Sequence, residues 1–153
     1  MSLVENDHMF REFLDHQDVR EARELGAAFV RNVQDLNDDA RLDMALETAS
    51  KLVVSDEELQ AAYKAAHAAA MESFTRCGAY CDWADQASHF VARATAALVN
   101  PNLENNRIWQ VANTCRMARN CAMLADGEDA INPEVAVQYR LLNEFLESKE
   151  LLS

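Results

Sequence analysis

SDEELQAAYKAAHAAAMESFTRCGAYCDWADQASHFVARATAALV, running from Ser55 to Val99, reads as two alanine-rich helices folded back on each other at Gly78. Ser55 has the chemistry of an N-cap. Asp56 and Glu57 stand in the first turn, and Glu58 holds the place from which a carboxylate reaches back in a capping box. Beyond it Leu59, Tyr63, Ala66, Ala70, Phe74 and Cys77 recur at spacings of three and four, which lays them along one stripe of a helix and turns that stripe toward a core. The run AAHAAA, Ala65 to Ala70, joins high helix propensity to side chains small enough for a neighbouring helix to approach closely. Gly78 takes the left-handed conformation cheaply, which suits a helix end, and Asp82 can cap the next helix. That helix carries Trp83, Ala87, Phe90, Val91, Ala94, Ala97 and Leu98 at helical spacing. It stops before Asn100-Pro101, because proline disfavours a helical residue ahead of it. A glycine inside a helix costs only about 1 kcal/mol, so one long bent helix is the alternative.

Outward from this hairpin the amphipathic spacing continues. A helix over about Asp18 to Asp35 sets Val19, Ala22, Leu25, Phe29 and Val33 on one side and Arg20, Glu21, Arg23, Glu24 and Arg31 on the other. Asn37-Asp38-Asp39 breaks it, and either aspartate can cap a third helix, containing Leu42, Ala45, Leu46, Ala49, Leu52 and Val53, that leads into Ser55. Ahead of both, roughly Val4 to Asp15 forms a short helix with Phe10, Phe13 and Leu14 on its apolar side. After the hairpin, Pro101 to Glu104 begins a helix running to about Leu124, with one stripe at Ile108, Val111, Cys115, Ala118, Ala122 and Ala125. A second stripe, Trp109, Ala112, Met117, Cys121 and Leu124, makes this helix either central or one side of a homodimer interface. Asn132, Pro133 and Glu134 are the N-cap, first-turn proline and early acid of the last helix, whose inward residues are Val135, Tyr139, Leu142, Phe145 and Leu146.

With three glycines and two prolines, the 153 residues lack the turn chemistry of strands and tight hairpins. The expected fold is all-α, a single-domain helical bundle over residues 1–153 with about six to seven helices around the central alanine-rich hairpin. Twenty-six acidic against fourteen basic residues give a net charge of −12, which argues against nucleic acid or an anionic membrane as partner. Residues 1–60 hold fifteen of the acids and six of the bases, so a charged partner is expected to be basic. The bland reading of that excess is a solvated face. No apolar run reaches the eighteen residues of a membrane span, and the N-terminal segment is acidic where a secretory leader is basic, so a cytoplasmic location is expected. Cys77, Cys81, Cys115 and Cys121 lack the paired short spacing of a zinc site and read as buried free thiols.

Phosphate loops, HExxH and GxSxG are all missing, and no catalytic residue or cofactor is assigned. One constellation stands out. A turn centred on Gly78 places His67 opposite His89, with Asp85 one helical turn before His89, so two imidazoles and a carboxylate could converge as a metal or acid/base site. The alternative is that both histidines flank the apolar seam and hydrogen-bond locally. His8, Glu12 and His16 share a helix face near the chain end, a weaker arrangement for a metal.

The stretches DDARLDMALETASKLV (Asp38 to Val53), ELQAAYKAAHAAA (Glu58 to Ala70) and ADQASHFVARATAAL (Ala84 to Leu98) resemble the alanine-rich helical immunity-protein family of bacterial polymorphic toxin systems. The likeness covers less than half the chain, and the proline and tryptophan of the family pattern around the first stretch are missing. The resemblance implies a non-catalytic protein that neutralises a toxin by covering its active surface. The acidic first third fits independently, since a basic toxin would be steered onto Asp35, Asp38, Asp39, Asp43, Asp56, Glu57 and Glu58. Two other classes remain: a small metal-dependent or acid/base enzyme built on His67 and His89, and a structural homo-oligomer formed through the Trp109, Met117 and Leu124 stripe.

Overall fold

Apolar residues at helical spacing, with almost no glycine or proline to interrupt them, leave the chain little alternative to helix. The computed structural model describes residues 4–77 and 82–152 and shows seven α-helices, with no strand among those residues. They are α1 (Asp7–Asp15), α2 (Val19–Val33), α3 (Ala40–Ala49), α4 (Asp56–Cys77), α5 (Trp83–Val99), α6 (Ile108–Ala125) and α7 (Glu134–Leu152), with single 3-10 turns at Gln34–Leu36 and Asn105–Arg107. Most starts are fixed by the cap chemistry visible in the sequence. Asp39 accepts from the Arg41 amide, Asp82 from the Asp85 amide and Asn132 from the Glu134 amide. At α4 the full capping box forms, the Glu58 amide donating to Ser55 Oγ at 3.1 Å and the Ser55 amide to Glu58 Oε1 at 3.3 Å.

The chain does double back between α4 and α5. Ser73 and Phe74 lie against His89, while Tyr63 and His67 share a cleft with Ala97 and Asn100, so the two helices are antiparallel. Gly78 and Cys81, on which the expected turn and one cysteine fell, lie outside the described residues. The second arm is the inner one: α5 packs most extensively on α6 and next on α4, and Val91, Ala92, Thr95, Leu98 and Val99 are buried around much of its circumference. α4 covers it from outside, buried along Leu59, Ala62, Ala66, Ala69, Ala70 and Ser73. The expected stripe through Phe74 and Trp83 is therefore corrected, since Phe74 is 64% and Trp83 46% exposed. Alanine on nearly every turn of α4 leaves two adjacent faces equally able to pack, and the contact line takes the one with the smaller side chains.

α2 crosses α5 and α6 at Gly26. A Cβ there would stand 2.6 Å from Leu98 Cδ1 and 3.1 Å from Ile108 Cδ1, so any larger residue requires the buried Leu98 side chain to shift. Arg23, expected on the outer polar face, is instead buried one turn away; its Nε donates to the Leu98 carbonyl at 3.1 Å and its Nη2 to the Asn100 carbonyl at 3.2 Å. Those carbonyls belong to the frayed end of α5, where the helix has no donors of its own to offer. Other expectations also shift. α3 ends at Ala49, leaving Leu52 and Val53 in the link, 77% and 87% exposed. α6 begins at Ile108 rather than at Pro101 to Glu104, with a 3-10 turn before it, and its last residue, Ala125, is exposed.

α7 is held by polar groups as much as by apolar ones. Glu134 is only 1% exposed; its carboxylate accepts from Asn32 Nδ2 at 2.9 Å and from Arg119 Nε at 2.9 Å. The Arg116 guanidinium lies between the Phe10, Trp109 and Tyr139 rings, donates to Gln138 Oε1 at 2.7 Å, and grips both oxygens of Asp7 at 3.0 Å. Gln138 Nε2 donates to the Ala112 carbonyl, so its amide is satisfied at both ends. The Val4 amide donates to Asn143 Oδ1 at 2.9 Å, and Lys149 pairs with Glu21 at 2.6 Å. These bonds bind α1 and α2 to α7.

Glu134→Ala is expected to destabilise the fold by about 1–3 kcal/mol in urea unfolding, because it leaves Asn32 Nδ2 and Arg119 Nε without their acceptor. Gly26→Ala is expected to cost about 1–2 kcal/mol despite alanine's better helix propensity, and to become neutral or favourable in a Leu98→Val background, as a double-mutant cycle would show.

Candidate functional site

Where α4 and α5 diverge toward their Tyr63 and Asn100 ends, α6 does not fill the gap, and a cleft of about 500 Å³ opens between the three helices. Its floor is small, built from Ala70, Ala96 and Ala97. Tyr63, His67, Phe74 and His89 wall it, with Met71 and Arg93 at the rim and Gln110 and Thr114 contributed by α6. His67 stacks on Tyr63, one helical turn earlier, with ring centroids 5.4 Å apart and planes 19° apart. Phe74 leans on His89 at 5.9 Å, and the Arg93 guanidinium lies 5.6 Å from the Phe90 ring.

His89 is the most constrained of these side chains. Ser73 Oγ lies 2.8 Å from both the Ala70 carbonyl and His89 Nδ1, a pair of contacts that fixes the place of the imidazole against α4. Burial, reinforced by the charge of Arg93 and opposed by a hydrogen bond to the Ala70 backbone, holds the imidazole below its usual range.

The expected convergence of His67, Asp85 and His89 is corrected. His89 meets Ser73, and the midpoint of positions 73 and 89 is 81, so the centre of the pairing lies three positions beyond Gly78 and each partner is displaced by six. His67 stands six residues before Ser73, about 9 Å along the helix, and opposes Ala97 instead. Asp85, one turn before His89, lines a separate depression with Asn37, Asp38, Asp39, Ser73 and Ser88. The two histidines share the cleft, and the carboxylate does not. Among the described residues no group of three or more His, Cys, Asp or Glu is placed to hold a metal ion. His8 and Glu12 approach at 3.8 Å on the exposed face of α1, while His16 Nδ1 bonds the Glu12 carbonyl within its own turn.

The seven carboxylates of the expected docking surface form no single patch. Asp35 faces Arg119 at 3.5 Å; Asp39 caps α3 and pairs with Arg41 at 2.7 Å, and Asp43 accepts from Gln34 Nε2 at 2.6 Å. Arg41 also reaches Glu72, fastening the start of α3 to the later part of α4. Asp56, Glu57 and Glu58 lie at the other end of that pair, sixteen residues or about 24 Å from Glu72 along α4, with Glu58 engaged by Lys51. Asp35, Asp38, Asp56 and Glu57 are the exposed members. Of the apolar stripe on α6, Trp109 is half-buried, taking the edge of Phe10 at 6.0 Å with Arg11 over its ring, whereas Met117 and Leu124 are outward. Cys115 is buried, and burial pushes its thiol far up, as expected of a core residue rather than a nucleophile.

Sequence reasoning found both histidines but missed Ser73, Arg93, Gln110 and Thr114. Ser73 had a signal: it continues the 62, 66, 69 spacing as the one polar residue on the packed line. Gln110 and Thr114 had none, because their place depends on how α6 crosses α5. No protein-family model, curated protein or solved structure matches the chain.

Because His89 binds its proton less readily in the native than in the unfolded chain, the unfolded state takes up more protons as pH falls from about 6.5 through the lowered pKa. Native stability is therefore expected to be full above that range and to decline below it. Urea midpoints measured from about pH 7.5 to 5.0 should show the decline, and His89→Gln should flatten it before the carboxylates titrate.

Proposed function

We propose that the protein is a non-catalytic binding partner for a basic protein, of the kind that the immunity-protein resemblance implies. One observation carries this reading. Met44 on α3 and Leu52 and Val53 in the link after it are 68%, 77% and 87% exposed, with the exposed carboxylates of Glu47, Asp56 and Glu57 within four residues of one or another of them along the chain. Large apolar side chains held out in water among carboxylates have the composition of a docking surface: the apolar groups supply the desolvated contact, and the charges guide the approach. The net charge of −12 gives that guidance its sign. The separation of the acids into two ends of the α3–α4 pair favours a partner that spans the pair lengthwise.

The test is association with the basic proteins encoded beside this gene. The association rate is expected to fall at least about tenfold from low to physiological-plus salt, with little change in dissociation. The pair Asp56→Lys and Glu57→Lys should slow association, while Leu52→Ser with Val53→Ser should speed dissociation. Binding indifferent to both salt and the lysine pair rules out this face as the docking surface.

A further inference from the structure

The chain is strongly acidic, yet the cleft between α4, α5 and α6 has no Asp or Glu among its lining residues. It has Arg93 and two histidines instead. Two depressions continue it at either side. One shares Tyr63 and His67 and adds Lys64, and the other shares Asn100 and Gln110 and adds Arg107 with a single acid, Glu104. The trough is thus a concave surface of opposite electrostatic sign to the body that carries it, and low-dielectric walls focus such a field. Arg93 enters no ion pair among the described residues, in contrast to Arg41, Arg116 and Arg119, each of which has a carboxylate within 3.5 Å.

The remaining walls are planar or thioether. Tyr63, Phe74 and Met71 face the opening, and an alanine floor leaves room beneath them. A volume of about 500 Å³ falls in the range of small-molecule sites and is well below what a folded partner needs. His89 is fixed by Ser73, so its ring presents one polar edge in a set position. An inorganic anion would leave the aromatic walls unused, and an uncharged aromatic would leave Arg93 unused.

We propose that this cleft binds a small aromatic carboxylate, its ring against the Phe74 and His89 side chains and its carboxylate on the Arg93 guanidinium, one helical turn beyond His89. The site is independent of the carboxylate-rich docking surface on α3, and each can fail without the other.

Titration of the full chain with 4-hydroxybenzoate and indole-3-acetate, followed by the ring resonances of His67 and His89, tests the assignment. Saturable shifts of both histidines are expected, with a dissociation constant below about 1 mM. 4-Hydroxybenzamide, which matches the first probe in shape without its charge, should bind at least about tenfold more weakly. Arg93→Gln should lower carboxylate affinity by a similar factor while leaving the amide unchanged, and Phe74→Ala should weaken both. Both residues are exposed, so neither change threatens the fold, and Arg20→Gln serves as a remote charge control. The proposal is overturned by the lack of saturable histidine shifts up to about 10 mM probe. Equal affinity for acid and amide, or Arg93→Gln binding as tightly as the parent chain, overturns it as well.

Discussion

The approach of α2 to the α5–α6 pair rests on one missing side chain. At Gly26 the Leu98 side chain occupies the place a methyl group would take. That contact brings Arg23, one turn earlier on the same face of α2, to the end of α5, where its guanidinium reaches the carbonyl of the same Leu98. Side chain and backbone of one residue are thereby gripped by two residues of another helix. On the far side of α5 the same economy of size recurs. Ala66 and Ala69 let α4 approach, and where the helices part, Ala70, Ala96 and Ala97 are too short to fill the gap. The cleft is the by-product of a packing rule that works only where helices stay close.

Helix number, order and most boundaries were legible because they depend on local chemistry. Ser55 with Glu58, Asp82, and Asn132 with Pro133 act within a few residues of themselves, and each does in the structure what its spacing announces. Which face of α4 turns inward was not legible. Alanine at nearly every position offers no contrast for a periodicity to reveal, so the stripe through Phe74 looked as good as the line through Ala69 and Ser73. Arg23 was misread for a different reason: an arginine amid other charges reads as solvated until a carbonyl 75 residues away comes to meet it.

The candidate site shows the same division. His67 and His89 were identified, but their relation rested on an assumed pivot, and moving that pivot by three positions displaces each partner by six residues, more than one and a half helical turns. The carboxylates of the first third were counted correctly as an excess. Their dispersal was invisible, because ion pairs such as Asp35 with Arg119 join segments far apart in sequence. On α7 the buried Glu134, Gln138 and Asn143 break the rule that inward means apolar. They are inward because each has a complete set of partners there, a condition that only the assembled helices supply.

The clasp of α1 onto α7 has a consequence for how the molecule comes into being. Val4 finds its acceptor on Asn143, 139 residues later, and Tyr139 closes on Asp7 across 132. On a ribosome adding about 5–20 residues per second, the opening segment therefore waits on the order of ten seconds before its seat exists. During that interval the rings of Phe10 and Phe13 are without their final cover. The nascent chain must carry an unfinished edge until its final helix emerges, and its acidic character in that segment helps keep the waiting edge in solution.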